Sequence, residues 1–266
     1  MRRLLTVAAM FWLVSHTLPA VAADVEVDLE LVLAVDVSRS MDFDEQQLQR
    51  NGYIEAFQHP EVIQAIQSGS LGRIAVTYFE WAGPGFQTPV APWALIANAK
   101  DADDFALNLG EAPISREIGT SISSGLFFAV GRFNDNGFTS YRRAIDVSGD
   151  GPNNDGRPVD MARDFVVSRG ITINGLPIVL KPDLRYTPYG IPNLDIYYED
   201  CVIGGPGAFM IAVTDPANFE AAIRRKLVME IAGLPARVMP AAEIVRPPRI
   251  DCMIGEKTRR NIGNFR

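Results

Sequence analysis

Leu29-Glu30-Leu31-Val32-Leu33-Ala34-Val35-Asp36-Val37-Ser38-Arg39-Ser40-Met41 is the stretch that decides the fold. From Leu29 to Val35 it is apolar except for Glu30, and it ends on Asp36. A strand packed on one face alternates apolar and polar residues, whereas a strand inside a parallel sheet, covered on both faces, reads as a continuous apolar run. This run is therefore the first and central strand of such a sheet.

The segments on either side supply the layers. Asp42 with Glu45 three residues on is a capping-box pattern, which opens a helix to about Gln58 with Leu48, Gly52 and Ala56 on one face. His59 precedes Pro60 at the end of that helix, where a helix-terminus role suffices for it. Ile74 to Phe79 is a second strand; Gly83, Pro84 and Gly85 turn the chain; Val90 to Ile96 is a third strand at the sheet edge, where Pro92 is tolerable. Asp101 to Leu109 reads as a short helix. Ile122, Leu126, Ala129, Val130 and Phe133 recur at helical spacing and stop at Asn134-Asp135-Asn136-Gly137. A strand over Ala144 to Ser148, a helix from Pro158 to about Ser168 and a strand from Ile171 towards Val179 follow. Residues 181 to 207, with Pro182, Pro188, Pro192, Pro206 and Tyr186, Tyr189, Tyr197, Tyr198, form an irregular insertion to which no role is assigned. Phe209 to Val213 is a last strand, and Asp215-Pro216 starts a closing helix with Phe219, Ile223 and Leu227 aligned. Such alternation predicts an α/β fold, a doubly wound, mostly parallel central sheet with helices on both faces. Ligands of such sheets bind outside the carboxyl ends of the strands, where strand order reverses.

Composition bounds the function. With 47% hydrophobic and 21% charged residues, the chain of 266 has the profile of one globular core with appendages. Arg2 and Arg3, the apolar run Leu4 to Val14 and the small residues up to Ala23 read as a signal peptide over residues 1–22, the run being shorter than the roughly 20 residues a membrane span needs. The expected division is a signal peptide over 1–22, a domain over 24–232 and a tail over 233–266. Residues 1–22 hold two arginines and no acid, so 23 basic residues then face 32 acidic ones, which disfavours nucleic acid and anionic membrane as partners. Lys257, Arg259, Arg260 and Arg266 read as a solvated basic tail. In the oxidising periplasm or outside the cell, Cys201 and Cys252 are expected to pair and pin that tail, closing a loop worth roughly 4 kcal/mol on the chain-entropy model. Of the two histidines, His16 lies in the signal segment, and one imidazole is too few for most zinc enzymes and too poorly placed for a Ser-His-Asp or Cys-His catalyst.

The chemistry gathers at the strand ends. Asp36, Ser38 and Ser40 stand at alternate positions, which lie on one side of an extended segment, and oxygen-only donors select a hard cation. Thr120, in Gly119-Thr120-Ser121, opens a helix on the same rim, and Asp150 follows the strand Ala144 to Ser148. Singly, Thr120 reads as a helix cap and Asp150 as a turn residue; in this order on one rim they read as a site. Residues 150–155 fail the EF-hand pattern, and Gly204, Gly205 and Gly207 precede a strand instead of following one, so they match no dinucleotide fingerprint. Asp42 and Asp44 suit the helix dipole, and Glu80 and Trp81 either line the rim or pack beneath it.

The Asp-x-Ser-x-Ser followed by Met41, the mid-domain Thr120 opening a helix and the Asp150-Gly151 after the fourth strand together resemble the metal-ion-dependent adhesion site of von Willebrand factor A-type domains. The resemblance covers about residues 28 to 232, and the whole chain is similar to an uncharacterised exported bacterial subfamily of that class. It implies that Ser38, Ser40 and Thr120 offer hydroxyl oxygens, that Asp36 and Asp150 bind the ion directly or through water, and that a partner protein's Asp or Glu completes the coordination. Magnesium is the first expectation for the divalent cation, with manganese or calcium as alternatives. Arg39 departs from the small residue usual at its position and is expected to point to solvent. The implied function is a non-enzymatic, metal-dependent protein-binding module, periplasmic or secreted. The competing readings are a magnesium-dependent hydrolase on the same rim, which lacks an obvious base, and a metal-free structural interaction domain.

Overall fold

The computed structural model describes residues 23–181, 190–233 and 249–263. The expected signal segment, Tyr186, Tyr189, Arg266 and the first part of the tail lie outside the described residues. The strands are β1 (Val25–Glu26), β2 (Glu30–Asp36), β3 (Ile74–Trp81), β4 (Gln87–Ile96), β5 (Phe138–Thr139), β6 (Arg143–Gly149) and β7 (Ile171–Pro177). The helices are α1 (Phe43–Gln58), α2 (Pro60–Gln67), α3 (Ala99–Glu111), α4 (Ile122–Arg132), α5 (Val159–Val167), α6 (Leu194–Tyr197), α7 (Phe219–Ala232) and α8 (Ile254–Gly263).

Five strands form the main sheet in the order β4-β3-β2-β6-β7, with β4 alone antiparallel; β1 and β5 make a separate parallel pair. β2 is the middle strand and is buried along its whole length. Leu31, Leu33 and Val35 enter one core with Tyr53 and Phe57 of α1, Phe105 of α3 and Ile223 and Leu227 of α7. Val32 and Ala34 enter the other with Leu126 of α4, Val166 of α5 and Leu194 of α6. The unbroken apolar run is thus the period-two pattern of a strand with two dry faces. The chain has the α/β architecture expected, with helices on both sides of a mostly parallel sheet.

Four segments differ from the expectation. The basic tail is helical over α8, with Arg259 paired to Asp155 at 2.6 Å instead of lying free in solvent. Pro60 does not merely follow a helix: it occupies the first turn of α2, and His59 caps that helix by accepting the Glu61 N–H at Nδ1, 3.2 Å. A missing N–H is harmless there, so the proline starts a helix as readily as it stops one. Residues 194–202 are helical, α6 running into a π-type turn over Tyr198–Val202. Phe209 to Val213 makes isolated bridges, Gly175 to Met210 and Ile178 to Val213, in place of a continuous strand. Its neighbour β7 has Pro177 at the position whose N–H would continue the ladder, so the bonds from Gly175 to Phe209 and from Val179 to Val213 are separated by a gap.

The sheet also carries a buried charge cluster. Lys226 of α7 lies 2.5 Å from both Asp146 of β6 and Glu230 one helical turn on, and Asn174 Nδ2 donates to Glu230 at 2.9 Å. Burial pushes both carboxyls up, Glu230 to about 7 with the Asp146 charge adding to the effect against the pull of Lys226. Folded Glu230 keeps its proton to higher pH than the unfolded chain does. Its contribution to stability is therefore complete below about 4.5 and is lost as pH rises through 7. Glu230→Gln is expected to flatten the fall in thermal midpoint between pH 5 and 8; a slope equal to that of the parent would contradict this ionisation.

Candidate metal centre

β2 delivers Asp36 to the carboxyl edge of the sheet, where α1 holds it from one side: Gln49 Nε2 donates to the Asp36 carbonyl at 3.2 Å. The Asp36 side chain is fully buried. Its Oδ1 accepts the Ser38 N–H at 2.7 Å, while Oδ2 has no hydrogen-bond partner among the described residues. Ser38 continues the extended course in a bridge with Glu117, and the chain then turns, the Met41 N–H returning to the Ser38 carbonyl. Ser40 thus reaches its neighbours through a turn, and not through strand alternation as the spacing alone would have it. Ser38 Oγ and Ser40 Oγ stand 2.9 Å apart, and Ser40 Oγ donates to Asp150 Oδ1 at 2.6 Å. Asp36, Ser38, Ser40 and Asp150 form one connected cluster.

Both carboxyls are pushed up. Asp36 lies well above the carboxylate range because it is buried and because the Asp150 charge faces it. Asp150 rises to about 6, burial outweighing the hydrogen bond from Ser40. Two carboxylates that repel one another stand beside neutral hydroxyls. The Lys181 ammonium, which donates to the Ser40 carbonyl at 3.3 Å and pulls the Asp150 carboxyl down, reaches that side of the cluster, whereas the buried Asp36 Oδ2 has no hydrogen-bond partner among the described residues. A divalent cation fits that donor set. Among the described residues no group of three or more His, Cys, Asp or Glu is placed to hold a metal ion, so a cation at this rim would need the hydroxyl oxygens as well.

Thr120 sits on the same rim, 4% exposed. Its N–H donates to Asn154 Oδ1 at 3.1 Å, and its carbonyl accepts from the N–H groups of Asn154 and Asp155. The cap of α4 is Ser121, which accepts the Ser124 N–H. Thr120 is therefore not spent on capping, and no hydrogen bond joins its hydroxyl to the other four residues among those described. Arg39 is exposed, as expected, its N–H donating to the Glu117 carbonyl. Glu80 and Trp81 pack beneath the rim: Glu80 pairs with buried Arg50, and Trp81 lies against Gly125. Asp42 caps α1 in a full capping box and also pairs with Lys181 at 3.1 Å.

Sequence reasoning missed Tyr198. It is fully buried, its hydroxyl has no hydrogen-bond partner among the described residues, and burial together with the Asp36 and Asp150 charges holds its proton on. Both it and Asp36 crowd the bare Cα of Gly149: a Cβ there would stand 2.8 Å from Asp36 Oδ2 and 2.9 Å from the Tyr198 hydroxyl. The tyrosine lies in the insertion, where no periodicity ties it to the rim.

The fold that carries these residues is that of von Willebrand factor A-type domains. Similar solved structures include a von Willebrand factor type A protein from Catenulispora acidiphila (16% identity, 77% of this chain and 43% of that one, TM-score 0.51). Another is proximal thread matrix protein 1 from the mussel byssus, solved with its MIDAS motif occupied by zinc (13% identity, 79% and 50%, TM-score 0.55). A third is the pilus adhesin SpaC from Lactobacillus rhamnosus GG (15% identity, 79% and 31%, TM-score 0.55). The chain spans half or less of the length of these relatives. At the level of family, it belongs to the one described as "Protein of unknown function (DUF1194)", whose model matches residues 26–235. No curated protein matches it.

Gly149→Ala is expected to lower stability in urea denaturation by about 1–3 kcal/mol, the range for overpacking a dense site. An unchanged midpoint would show that Asp36 and Tyr198 are free to part.

Proposed function

We propose that the chain is a divalent-cation-dependent protein-binding module, with the ion held at the strand-end rim by Asp36, Ser38, Ser40, Thr120 and Asp150. The observation that carries the proposal is the buried, unpartnered Oδ2 of Asp36 at the head of a hydrogen-bonded chain that runs through Ser38 and Ser40 to Asp150. A carboxylate kept from water without a partner costs several kcal/mol unless it is protonated or meets a cation. When bound, the ion would supply a point of attachment. Two carboxylates at most neutralise its charge and the hydroxyls add none, so it can still accept a carboxylate from outside.

The relatives support the coarser part of this reading. Among them are a protein with zinc in its MIDAS motif and a pilus adhesin, although their likeness is one of fold. Magnesium is the proposed ion, and a partner's Asp or Glu the proposed ligand. The Cys201–Cys252 disulfide suits an oxidising compartment, periplasmic or extracellular, in keeping with the proposed signal peptide. Among the described residues no helix is long and apolar enough to cross a membrane. Non-enzymatic action is proposed because His59, the one histidine among the described residues, caps α2, and Glu45, the further carboxylate beside Asp150, pairs with Lys181 at 2.5 Å.

Thermal melts with and without magnesium, manganese or calcium test the proposal. A cation that binds only the folded chain stabilises it by mass action, by about 2.7 kcal/mol at a hundred times its dissociation constant, and so raises the midpoint. Asp36→Asn keeps the shape, removes a buried charge and is expected to melt no lower than the parent without cation, yet to lose the cation-induced rise. A parent whose midpoint is indifferent to all three ions would sink the cation-dependent reading.

A further inference from the structure

Residues 249–263 return to the rim. The Arg249 N–H donates to Asp200 Oδ2 at 2.6 Å, and its guanidinium pairs with Asp200 and Glu199. Cys252 is bonded to Cys201, which is buried beside α5 and α6 in the core on that face. From this anchorage α8 lies along residues 153–155. Asn153 Nδ2 donates to Glu256 Oε1 at 2.7 Å, and Arg259 Nη1 donates to Asn154 Oδ1 at 3.2 Å and to Asp155 Oδ2 at 2.6 Å. The approach is close: a Cβ on Gly255 would fall 2.1 Å from the Asn153 carbonyl oxygen.

The same residues hold the rim from their other side. Asn154 Oδ1 accepts the Thr120 N–H at 3.1 Å, Asn153 Oδ1 accepts the Ser123 N–H at 3.0 Å, and the N–H groups of Asn154 and Asp155 both donate to the Thr120 carbonyl. Tyr197 joins the two sides, its hydroxyl accepting the Asn153 N–H at 3.2 Å and reaching the Cys252 carbonyl at 3.4 Å. Residues 150–158 have no helix or strand, yet Asn153 and Asn154 are buried. Buried irregular backbone keeps one shape only if side chains satisfy it, and here α8 supplies part of that set.

We propose that α8, fastened by the Cys201–Cys252 disulfide, is a clamp on the cation site, with Arg259 and Glu256 as positioning residues that hold Thr120 and the loop after Asp150 in the binding arrangement. The proposal rests on the cation reading above. Groups that orient ligands without touching the ion typically change affinity by 10- to 100-fold, and a residue two hydrogen bonds from Thr120 belongs at the lower end of that range.

The test uses the full chain and manganese alone as probe. Manganese affinity and cation-free amide exchange at Thr120 and Ser123 are measured for the parent, Arg259→Ala, Arg259→Lys, Glu256→Gln and the double variant Cys201→Ser/Cys252→Ser. Arg259→Ala is expected to weaken manganese about 10-fold. It should also speed exchange at Thr120 while leaving the cation-free thermal midpoint in place, and Arg259→Lys should recover part of the affinity. The double variant should speed exchange at both amides. Unchanged affinity in Arg259→Ala and the double variant, with a parent that binds manganese, overturns the clamp and leaves the cation reading standing. A parent that binds no cation removes the cation reading, and exchange then decides whether α8 clamps the rim: rates equal to those of the parent overturn that too.

Discussion

The burial of the Asp36 carboxylate is the constraint on which the rest depends. β2 is paired with β3 and with β6 along its length, so its last residue cannot swing out to water. Seven buried residues place a carboxylate where the surroundings cannot solvate it, and the hydroxyls of Ser38 and Ser40 with the second carboxylate at Asp150 are arranged about that fact. The fold creates a local need for positive charge at one end of its central strand.

Comparison with the other buried charges sharpens what is special there. Arg50 and Glu80 answer each other beneath the rim, and Lys226 answers Asp146 and Glu230 between α7 and the sheet. Those groups are closed circuits, each holding both signs. At Asp36 the facing charge is another carboxylate, the Lys181 ammonium reaches the cluster only at the Ser40 carbonyl, and the Tyr198 hydroxyl closes on the space left by the missing side chain of Gly149.

The fold was legible where burial leaves a pattern. The apolar run of β2, the capping box at Asp42 and the helical spacing of α4 each mark an element by its own residues, and the alternation of elements then implies the layers. The candidate site was legible as far as short-range spacing extends, which covers Asp36, Ser38 and Ser40, though the turn that brings Ser40 round was not. Tyr198 and the α8 contacts were invisible because they depend on segments that fold back over more than forty residues without periodicity of their own. Pro60 misled because a proline at a helix boundary reads alike from either side, and Phe209 to Val213 because an apolar run does not reveal whether its neighbour has N–H groups left to give.

The outer strands settle how the sheet meets other molecules. β4 carries Pro89 and Pro92, two positions with no N–H to offer a newcomer, and its pairing with β3 is broken by register shifts. On the far side, the Gly204 to Val213 segment occupies β7 with scattered bonds that do not present a straight new edge. Both flanks offer an incoming chain a broken row of backbone groups, which disfavours the edge pairing by which exposed strands start aggregates. A long central strand whose apolar side chains fill both cores is thus flanked by outer strands with few backbone groups to lend.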